Sequence, residues 1–195
     1  MRTYEPFRYT FYVGTVKEDL TELCNCDDYA WSHEQKNRGE GRLGEPNFHV
    51  LDSLLQTKHL LERYVNDALH NNYKYVNDFR ITTSWLTNNN PGENIRPHHH
   101  KNSFYSGVLY HGDYWDDSGS LIFKNPIGHA SPIELYSDAN PMNDSIGIPP
   151  RKNLMILFPS CITHHCYDIN RERISLAFNI MPTGTIGRSD STCTL

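Results

Sequence analysis

Several features that would assign the sequence to a special class of protein are missing. No apolar run approaches the roughly 20 residues that a helix needs to cross a bilayer. The first residues also lack the apolar segment and the cleavage site of a secretory signal. There is no internal repeat and no low-complexity tract. We therefore expect no helical membrane span, no secretory leader and no repeat architecture.

Cysteine is scarce and irregularly spaced. The chain has five cysteines, which are Cys24, Cys26, Cys161, Cys166 and Cys193. An odd number without framework spacing disfavours a disulfide scaffold, and Cys24-x-Cys26 has no second pair with which to form a structural zinc site. We expect free thiols, a reducing compartment and a cytoplasmic location.

What is present indicates a globular protein. The 195 residues are 37% hydrophobic, include 12 tyrosines and are long enough to bury one core. The formal net charge of -5 gives no electrostatic reason to expect nucleic acid as a partner. We expect a single domain over residues 1–195, with an N-terminal part (1–79), a core (80–181) and a tail (182–195).

The N-terminal part is predicted to hold a strand and helices. Alternating apolar and polar residues predict a strand over Phe7–Val16. Thr15-x-x-Glu18 resembles a capping box and predicts a short helix near Lys17–Cys24. Residues Asn25–Pro46 are polar and glycine-bearing, which predicts a loop. Apolar residues at helical spacing predict a helix over Leu54–Leu69 that packs on the outside of a sheet.

The core is predicted to be mainly β-structure. Short strands are expected at Arg80–Thr87, Phe104–Tyr110, Ser120–Lys124, Leu154–Phe158 and Arg173–Met181. Residues 88–92 are predicted to turn, residues 125–150 to make a long excursion over the rim of the sheet, and the tail to fray. Many short strands bounded by turns are typical of an all-β sandwich or barrel.

Two segments concentrate histidine. Arg96–Ser103 contains three consecutive histidines, and Phe158–His165 ends in two more. Alternate residues of a strand face the same side, so His98 and His100 can point into one cavity, where His164 can join them on a metal ion. We expect the neighbouring His99 and His165 to point away from this cavity.

A polar strand face follows the second segment. Arg173, Ser175 and Asn179 fall on one face of the last core strand, whereas the alternate residues are apolar. The planar guanidinium matches a carboxylate bidentately, and Ser175 adds a hydroxyl from the same face. The alternative is an internal ion pair with Asp168 or Glu172. Three ligands on one face leave open positions for a bidentate keto acid and dioxygen, so we expect a non-haem iron site with a keto-acid cosubstrate.

The order of these motifs resembles that of a known family. Ser84-Trp85-Leu86, Gly92, His98-x-His100, Ser106-Gly107-Val108-x-Tyr110, Gly119-x-Leu121-x-Phe123, Phe158-Pro159-Ser160, His164 and Arg173-Ile174-Ser175-x-x-Phe178-Asn179 follow one another as in iron(II)/2-oxoglutarate-dependent oxygenases of the prolyl-hydroxylase-like superfamily. The similarity is strongest over residues 80–181. It implies a double-stranded β-helix (jelly-roll, cupin-like) core, supported by one or two N-terminal helices, with a metal at its open mouth.

The resemblance also implies roles for individual residues. By position, His98 and His164 match metal ligands, and Arg173 with Ser175 matches the site for the C5 carboxylate of 2-oxoglutarate. The superfamily has an aspartate or glutamate where this chain has His100. The two-residue spacing favours His100 as the third ligand, while Glu93, Asp113 and Asp116 are alternative carboxylate donors. Further cosubstrate contacts are assigned to Asn88, Asn94 and Tyr110.

Three functions are compatible with this pattern. The first is an Fe(II)- and 2-oxoglutarate-dependent hydroxylase that uses O2 and acts on a small molecule, a peptide or a protein, without nucleic acid or membrane as partner. The second is a three-histidine cupin-like dioxygenase without a keto acid, which has no use for Arg173-x-Ser175. The third is a non-catalytic jelly-roll binding module. The sequence does not name the substrate, which the loop Tyr114–Asp117 and residues 125–150 are expected to select.

Overall fold

A computed structural model describes residues 9–30, 47–126 and 144–195 of the chain. The strands are β1 Tyr12–Thr15, β2 Tyr29–Ala30, β3 Phe79–Asn89, β4 Ile95–His98, β5 Tyr105–Leu109, β6 Leu121–Lys124, β7 Ser145–Ile148, β8 Leu154–Pro159, β9 His164–Cys166, β10 Arg173–Pro182, β11 Thr185–Ile186 and β12 Cys193–Thr194. The α-helices are α1 Thr21–Cys24 and α2 Leu55–Tyr73, and short 3-10 turns cover Val50–Asp52 and Ser189–Ser191.

The core strands alternate between two sheets. The larger sheet has the order β1-β8-β5-β10-β3-β2, and the smaller has the order β4-β9-β6-β7. All neighbouring strands in them are antiparallel except β2 and β3. From β3 to β10 the chain passes back and forth between the sheets, which is the winding of a double-stranded β-helix. The predicted fold class is confirmed.

Apolar side chains fill the space between the sheets. Val108, Ile156 and Phe158 of the larger sheet are buried together with Leu121 and Phe123 of the smaller one. The rings of Phe123 and Phe158 meet edge to face, with centroids 4.8 Å apart, a geometry that adds to the burial of their area. The two sheets are therefore held face to face by a continuous core at one end of the sandwich.

Helix α2 covers the outer face of the larger sheet, as predicted. Its Leu61, Val65 and Leu69 are fully buried in a second cluster that includes Leu176 and Phe178 of β10. The spacing of these helix residues places them on one stripe, and burying that stripe is the main source of helix stability. The helix ends where Lys74 adopts a left-handed conformation (φ 59°) and its N–H donates to the carbonyl of His70.

Strand β10 separates the two environments residue by residue. Arg173 and Ser175 face the space between the sheets, whereas Leu176, Phe178 and Ile180 face helix α2. The predicted alternation is confirmed, and it places the polar face of the strand inside the sandwich. A polar inward face requires hydrogen-bond partners or a ligand.

The structure corrects several details. The predicted capping box at Thr15 is wrong, because α1 begins at Thr21, whose N–H donates to the carboxylate of Asp19. Strand β3 continues to Asn89, so the turn begins later than predicted. The excursion contains strand β7, and β11 pairs with β12 in the tail that was expected to fray. Residues 1–8, 31–46 and 127–143 of the predicted strand, loop and excursion lie outside the described residues.

Within the described ranges, no helix has both the length and the apolar character that a bilayer crossing requires.

Candidate metal centre

Three histidine side chains converge between the sheets. His98 at the end of β4 pairs directly with His164 at the start of β9, and His100 lies just beyond β4. The ring centroids are 4.3 Å apart for His98 and His164, 5.3 Å for His98 and His100, and 5.1 Å for His100 and His164. One ring nitrogen from each lies within 4.8 Å of the others. The residues predicted as metal ligands therefore share one location.

Two of these rings are oriented by backbone carbonyls. Nδ1 of His98 lies 2.8 Å from the carbonyl oxygen of Arg96, and Nδ1 of His164 lies 2.9 Å from that of Ile162. A carbonyl oxygen only accepts, so Nδ1 carries the proton in both rings. Each Nε2 then has a lone pair available for a metal ion.

The third ring is held by side chains. Nδ1 of His100 lies 2.6 Å from Oδ1 of Asn179 and 3.1 Å from Oγ of Ser106. The backbone N–H of His100 donates to the carbonyl of Ser160. Both ends of the residue are therefore fixed, although it lies outside the strand ladder.

Burial favours the neutral form of two of the rings, His100 and His164. Burial, with a smaller contribution from the neighbouring His98, lowers the pKa of His164 to about 3. Burial also lowers the pKa of His100, and the hydrogen bond that its ring donates to Asn179 partly offsets this. Neutral imidazole is the form that binds metals, so these two rings need not lose a proton to bind one. Three neutral nitrogen donors suit a first-row divalent ion.

No carboxylate joins the cluster within the described part of the chain. A side-chain oxygen of Glu93 accepts the backbone N–H of Asn90, and Asp113 pairs with Lys152 at 3.1 Å. Asp116 is likewise outside the group. Among the candidates for the third ligand position, the geometry favours His100.

The three histidines line a cavity of about 400 Å³. Arg173 and Ser175 of β10 line the same cavity, and Val108, Leu121 and Ala177 contribute apolar wall. The ligand cluster and the predicted carboxylate site thus open into one space.

Arg173 is buried without a counterion. It is 1% exposed, and within the described ranges it takes part in no ion pair. Its Nη2 donates to the hydroxyl of Tyr110 at 2.5 Å, while its Nε has no hydrogen-bond partner. Glu172, one of the alternative partners, instead accepts from the amide of Asn88. A buried guanidinium in this state favours binding of an anion.

A second unpartnered group lies beside it. Asn89 is directly opposite Arg173 in the sheet and lines the cavity. It is 1% exposed, and neither its Nδ2 nor its Oδ1 has a hydrogen-bond partner. The hydroxyls of Thr87 and Ser175 lie 2.8 Å apart on the same wall. Unpartnered buried donors each cost about 1–3 kcal/mol, which a bound carboxylate would offset.

The three further residues predicted to contact the cosubstrate lie in different places. Asn94 lines the cavity. Tyr110 is fully buried behind Arg173, and burial raises the pKa of its hydroxyl, so that it stays neutral. Asn88 does not reach the cavity, because its amide donates to Glu172 on the other face of β3. Asn89 was missed, and the alternation of Trp85, Thr87 and 89 along β3 is the signal that could have found it.

The two other histidines of these segments do not join the cluster. His99 is exposed, and the ring of His165 packs on Tyr167 with centroids 4.7 Å apart. Trp85 lies in the cavity wall, 5.5 Å from the ring of His100 and 6.0 Å from that of Phe48 between centroids.

A family model now supports the chemistry. Residues 83–179 match the model described as "Putative 2OG-Fe(II) oxygenase". Residues 83–179 belong to the 2OG-Fe(II) oxygenase family. Members of this family are enzymes, and their metal and cosubstrate are Fe(II) and 2-oxoglutarate. The match covers the strands from β4 to β9 and most of β3 and β10, including all three cluster histidines and Arg173.

Solved structures of oxygenases are similar to the chain at low sequence identity. HygX from Streptomyces hygroscopicus with iron bound is 11% identical, with 89% of this chain and 82% of HygX covered (TM-score 0.49). A prolyl-4-hydroxylase from Pseudomonas putida is 19% identical, with 66% of each chain covered (TM-score 0.48). An oxidoreductase of the 2OG-Fe(II) oxygenase family from Burkholderia pseudomallei is 14% identical, with 65% of this chain covered (TM-score 0.47).

The chain spans 54% of the Burkholderia protein and 66% of the Pseudomonas enzyme. No curated protein matches its sequence.

Proposed function

We propose that the chain is an Fe(II)- and 2-oxoglutarate-dependent dioxygenase, a hydroxylase that couples oxidative decarboxylation of 2-oxoglutarate to oxidation of a substrate. His98, His100 and His164 hold Fe(II) through Nε2. The observation that carries the proposal is the shared cavity. Three imidazole nitrogens within 4.8 Å of one another face the same space as a buried guanidinium that has no counterion among the described residues.

Arg173 and Ser175 hold the C5 carboxylate of 2-oxoglutarate. The carboxylate receives the charge-assisted bonds that the guanidinium lacks, and Asn89 occupies the place that the sequence assigned to Asn88. Tyr110 accepts from Nη2 of Arg173 and so restrains the guanidinium plane. Asn94 contributes a further polar group to the cavity wall.

The bound ion, with 2-oxoglutarate and O2, supplies the oxidant for a C–H bond of the substrate. The protein supplies position and environment. The apolar wall of Val108, Leu121 and Ala177 keeps water away from the reacting groups and strengthens the electrostatic interactions of Arg173. Arg173 and Ser175 would fix the position of the cosubstrate relative to the three histidines, where it would lose CO2 and leave succinate while the substrate is oxidised.

A three-histidine dioxygenase without a keto acid is the second candidate, favoured by the all-nitrogen ligand set. It does not explain the buried guanidinium of Arg173 or the unpartnered amide of Asn89, and burying either group without a partner destabilises the folded chain. The first proposal accounts for both groups. A non-catalytic binding module remains an outcome of the experiment below.

The substrate is a small molecule or a side chain of a peptide or protein. It approaches past Phe48 and Trp85, whose aromatic rings line the cavity. The net charge of -5 disfavours nucleic acid as substrate. We also propose one oxygenase domain over residues 1–195, since α2 and the core sheet share one apolar cluster. The cytoplasmic location stays a prediction from cysteine usage.

Anaerobic addition of Fe(II) and then 2-oxoglutarate tests the proposal. We expect a weak visible absorption band of the metal–keto-acid chelate that requires both components, and succinate formation after O2 is admitted. If the protein binds Fe(II) but shows no absorption band after 2-oxoglutarate is added, the result would favour the dioxygenase without a keto acid. A ligand pull-down that survives loss of all three histidines would favour the binding module.

A further inference from the structure

The third histidine is held differently from the other two. The Nδ1 atoms of His98 and His164 donate to carbonyls two residues earlier in their own segments. Nδ1 of His100 instead meets the side chain of Asn179, which comes from β10 in the other sheet, at 2.6 Å. The orientation of this one ring therefore depends on a residue distant in sequence.

The amide of Asn179 has a defined orientation. Its Nδ2 donates to Oγ1 of Thr83 at 2.9 Å, which turns Oδ1 toward His100. The same Oδ1 accepts from Oγ of Ser106 at 2.9 Å. An amide oxygen cannot donate, so Nδ1 of His100 carries the proton and Nε2 carries the lone pair.

A chain of buried hydroxyls supports this arrangement. Oγ of Ser106 lies 2.8 Å from Oγ of Ser160, which in turn donates to Oγ of Ser103 at 2.8 Å. Ser106 is 0% exposed and Ser160 is 1% exposed. A buried polar network is costly unless its groups are hydrogen-bonded to one another. The contacts of these serines limit how far the ring of His100 can rotate.

We infer that Asn179 is a positioning residue of the metal centre, which fixes the Nδ1–H tautomer of His100 and directs its Nε2 toward the ion. The inference rests on the proposed role of His100 as a ligand. A carboxylate at position 100 would have no tautomer to select, whereas an imidazole can rotate and bind through either nitrogen. A histidine in this place therefore needs an acceptor that a carboxylate does not need.

Titration of the metal-free full-length chain with Co(II) alone tests the inference, with visible absorption as a reporter of coordination. Asn179→Leu removes the acceptor, and we expect affinity for Co(II) to fall by about 10- to 100-fold with an altered spectrum. Asn179→Asp retains an acceptor, and we expect affinity within about threefold of the native chain with the native spectrum. Asn88→Leu, an asparagine outside the cavity, serves as the matched control and should bind normally.

The outcomes are distinguishable. If Asn179→Leu binds Co(II) with the affinity of the native chain while His100→Ala binds it weakly, the inference is overturned but the proposed function is not. Equal losses in Asn179→Leu and Asn179→Asp would also overturn it, because the acceptor would not then be the cause. Native binding by His98→Ala and His164→Ala would overturn the proposed function itself.

A second measurement needs no variant at position 179. Long-range ¹⁵N–¹H spectra of the native metal-free chain, assigned with His100→Ala, report the tautomer of this ring. A protonated Nδ1 is expected, and a protonated Nε2 would overturn the inference even if Asn179→Leu failed to fold.

Discussion

His98 and His164 are directly opposite each other in the antiparallel pair of β4 and β9, with ring centroids 4.3 Å apart. Residues opposite each other on neighbouring strands have Cβ atoms about 4.5–5.5 Å apart, so backbone pairing alone brings these imidazoles together. Strand register therefore sets the positions of two of the proposed ligands, whereas His100 is held by side-chain contacts. A shift of one residue in this register would turn one ring away from the other.

His164→Ala should abolish tight metal binding, because it removes a ligand whose Nε2 has been oriented by the carbonyl of Ile162. We expect a loss of more than roughly 100-fold, since even the partners of ligands are worth 10- to 100-fold. Calorimetric titration with Fe(II) under anaerobic conditions measures it. The neighbouring His165→Ala is the control, and an equal loss in both variants would contradict the assignment.

The sequence predicted the parts of the fold that depend on local pattern. Strand β10 and helix α2 alternate or repeat clearly enough to reveal both their type and their buried face, and the wholly apolar run Leu154–Phe158 revealed the fully buried strand β8. The convergence of His98 with His164 followed from spacing and from resemblance to a family. These features depend on a few residues at a time, so local reasoning reached them.

What the sequence did not predict depends on long-range pairing. β3 extends to Asn89 because that residue pairs with Arg173, some eighty positions later. The consecutive asparagines predicted a turn from residue 88, so the strand was not extended far enough to show that Asn89, and not Asn88, faces the cavity. Strand β7 forms by pairing with β6, although its own sequence, Ser145–Ile148, carries little strand signal.

Arg173→Gln should weaken 2-oxoglutarate binding while leaving metal binding intact. The variant removes a buried charge that we assign to the C5 carboxylate, and losing one member of such a pair costs about 2–5 kcal/mol. We expect the dissociation constant of 2-oxoglutarate to rise on the order of 100-fold. Titration of the anaerobic Fe(II)-loaded protein, followed by the chelate band, measures it. An unchanged constant would remove Arg173 from the cosubstrate site.

Gly107→Ala should destabilise the fold without involving the metal. A Cβ at this position would press into the ring of Phe178, which is fully buried under helix α2. Overpacking of this kind costs about 1–3 kcal/mol. Gly147→Ala is the control, since the nearest atom to its added carbon is Cβ of Ser120 at 3.5 Å, an ordinary contact. Urea unfolding of both variants provides the comparison, and equal midpoints would contradict the prediction.

His111 should make stability depend on pH. Burial lowers its pKa in the folded chain to about 4, and its Nδ1 has no hydrogen-bond partner. The unfolded chain takes up this proton near pH 6.5, but the folded chain takes it up only near pH 4, so stability falls as the pH drops through this window. The contribution is on the order of 3 kcal/mol.

His111→Leu removes this titration while keeping a similar volume. Unfolding of the metal-free chain at several pH values between about 7.5 and 4.5 measures the effect. The native chain should lose more stability than the variant over this range, while the other histidines contribute equally to both. Parallel curves would show that His111 does not titrate as we expect.

Asn89→Leu should stabilise the cosubstrate-free chain while it weakens the affinity for 2-oxoglutarate. The buried amide has no hydrogen-bond partner in the free protein, and replacing it by an apolar group of similar shape recovers about 1–3 kcal/mol. For a chain of this length, each kcal/mol corresponds to roughly 2–4 °C in melting temperature. The same change removes a donor from the carboxylate site, so 2-oxoglutarate should bind about tenfold less tightly.

Asn88→Leu supplies the contrast, because it differs by a single position on the opposite face of β3. It breaks the hydrogen bond to Glu172 and should leave the affinity for 2-oxoglutarate unchanged without raising the melting temperature. Thermal unfolding with and without 2-oxoglutarate separates the two effects. If cosubstrate-free Asn89→Leu melts at a lower temperature than the native chain, the amide of Asn89 is hydrogen-bonded in the free protein, which would contradict the prediction.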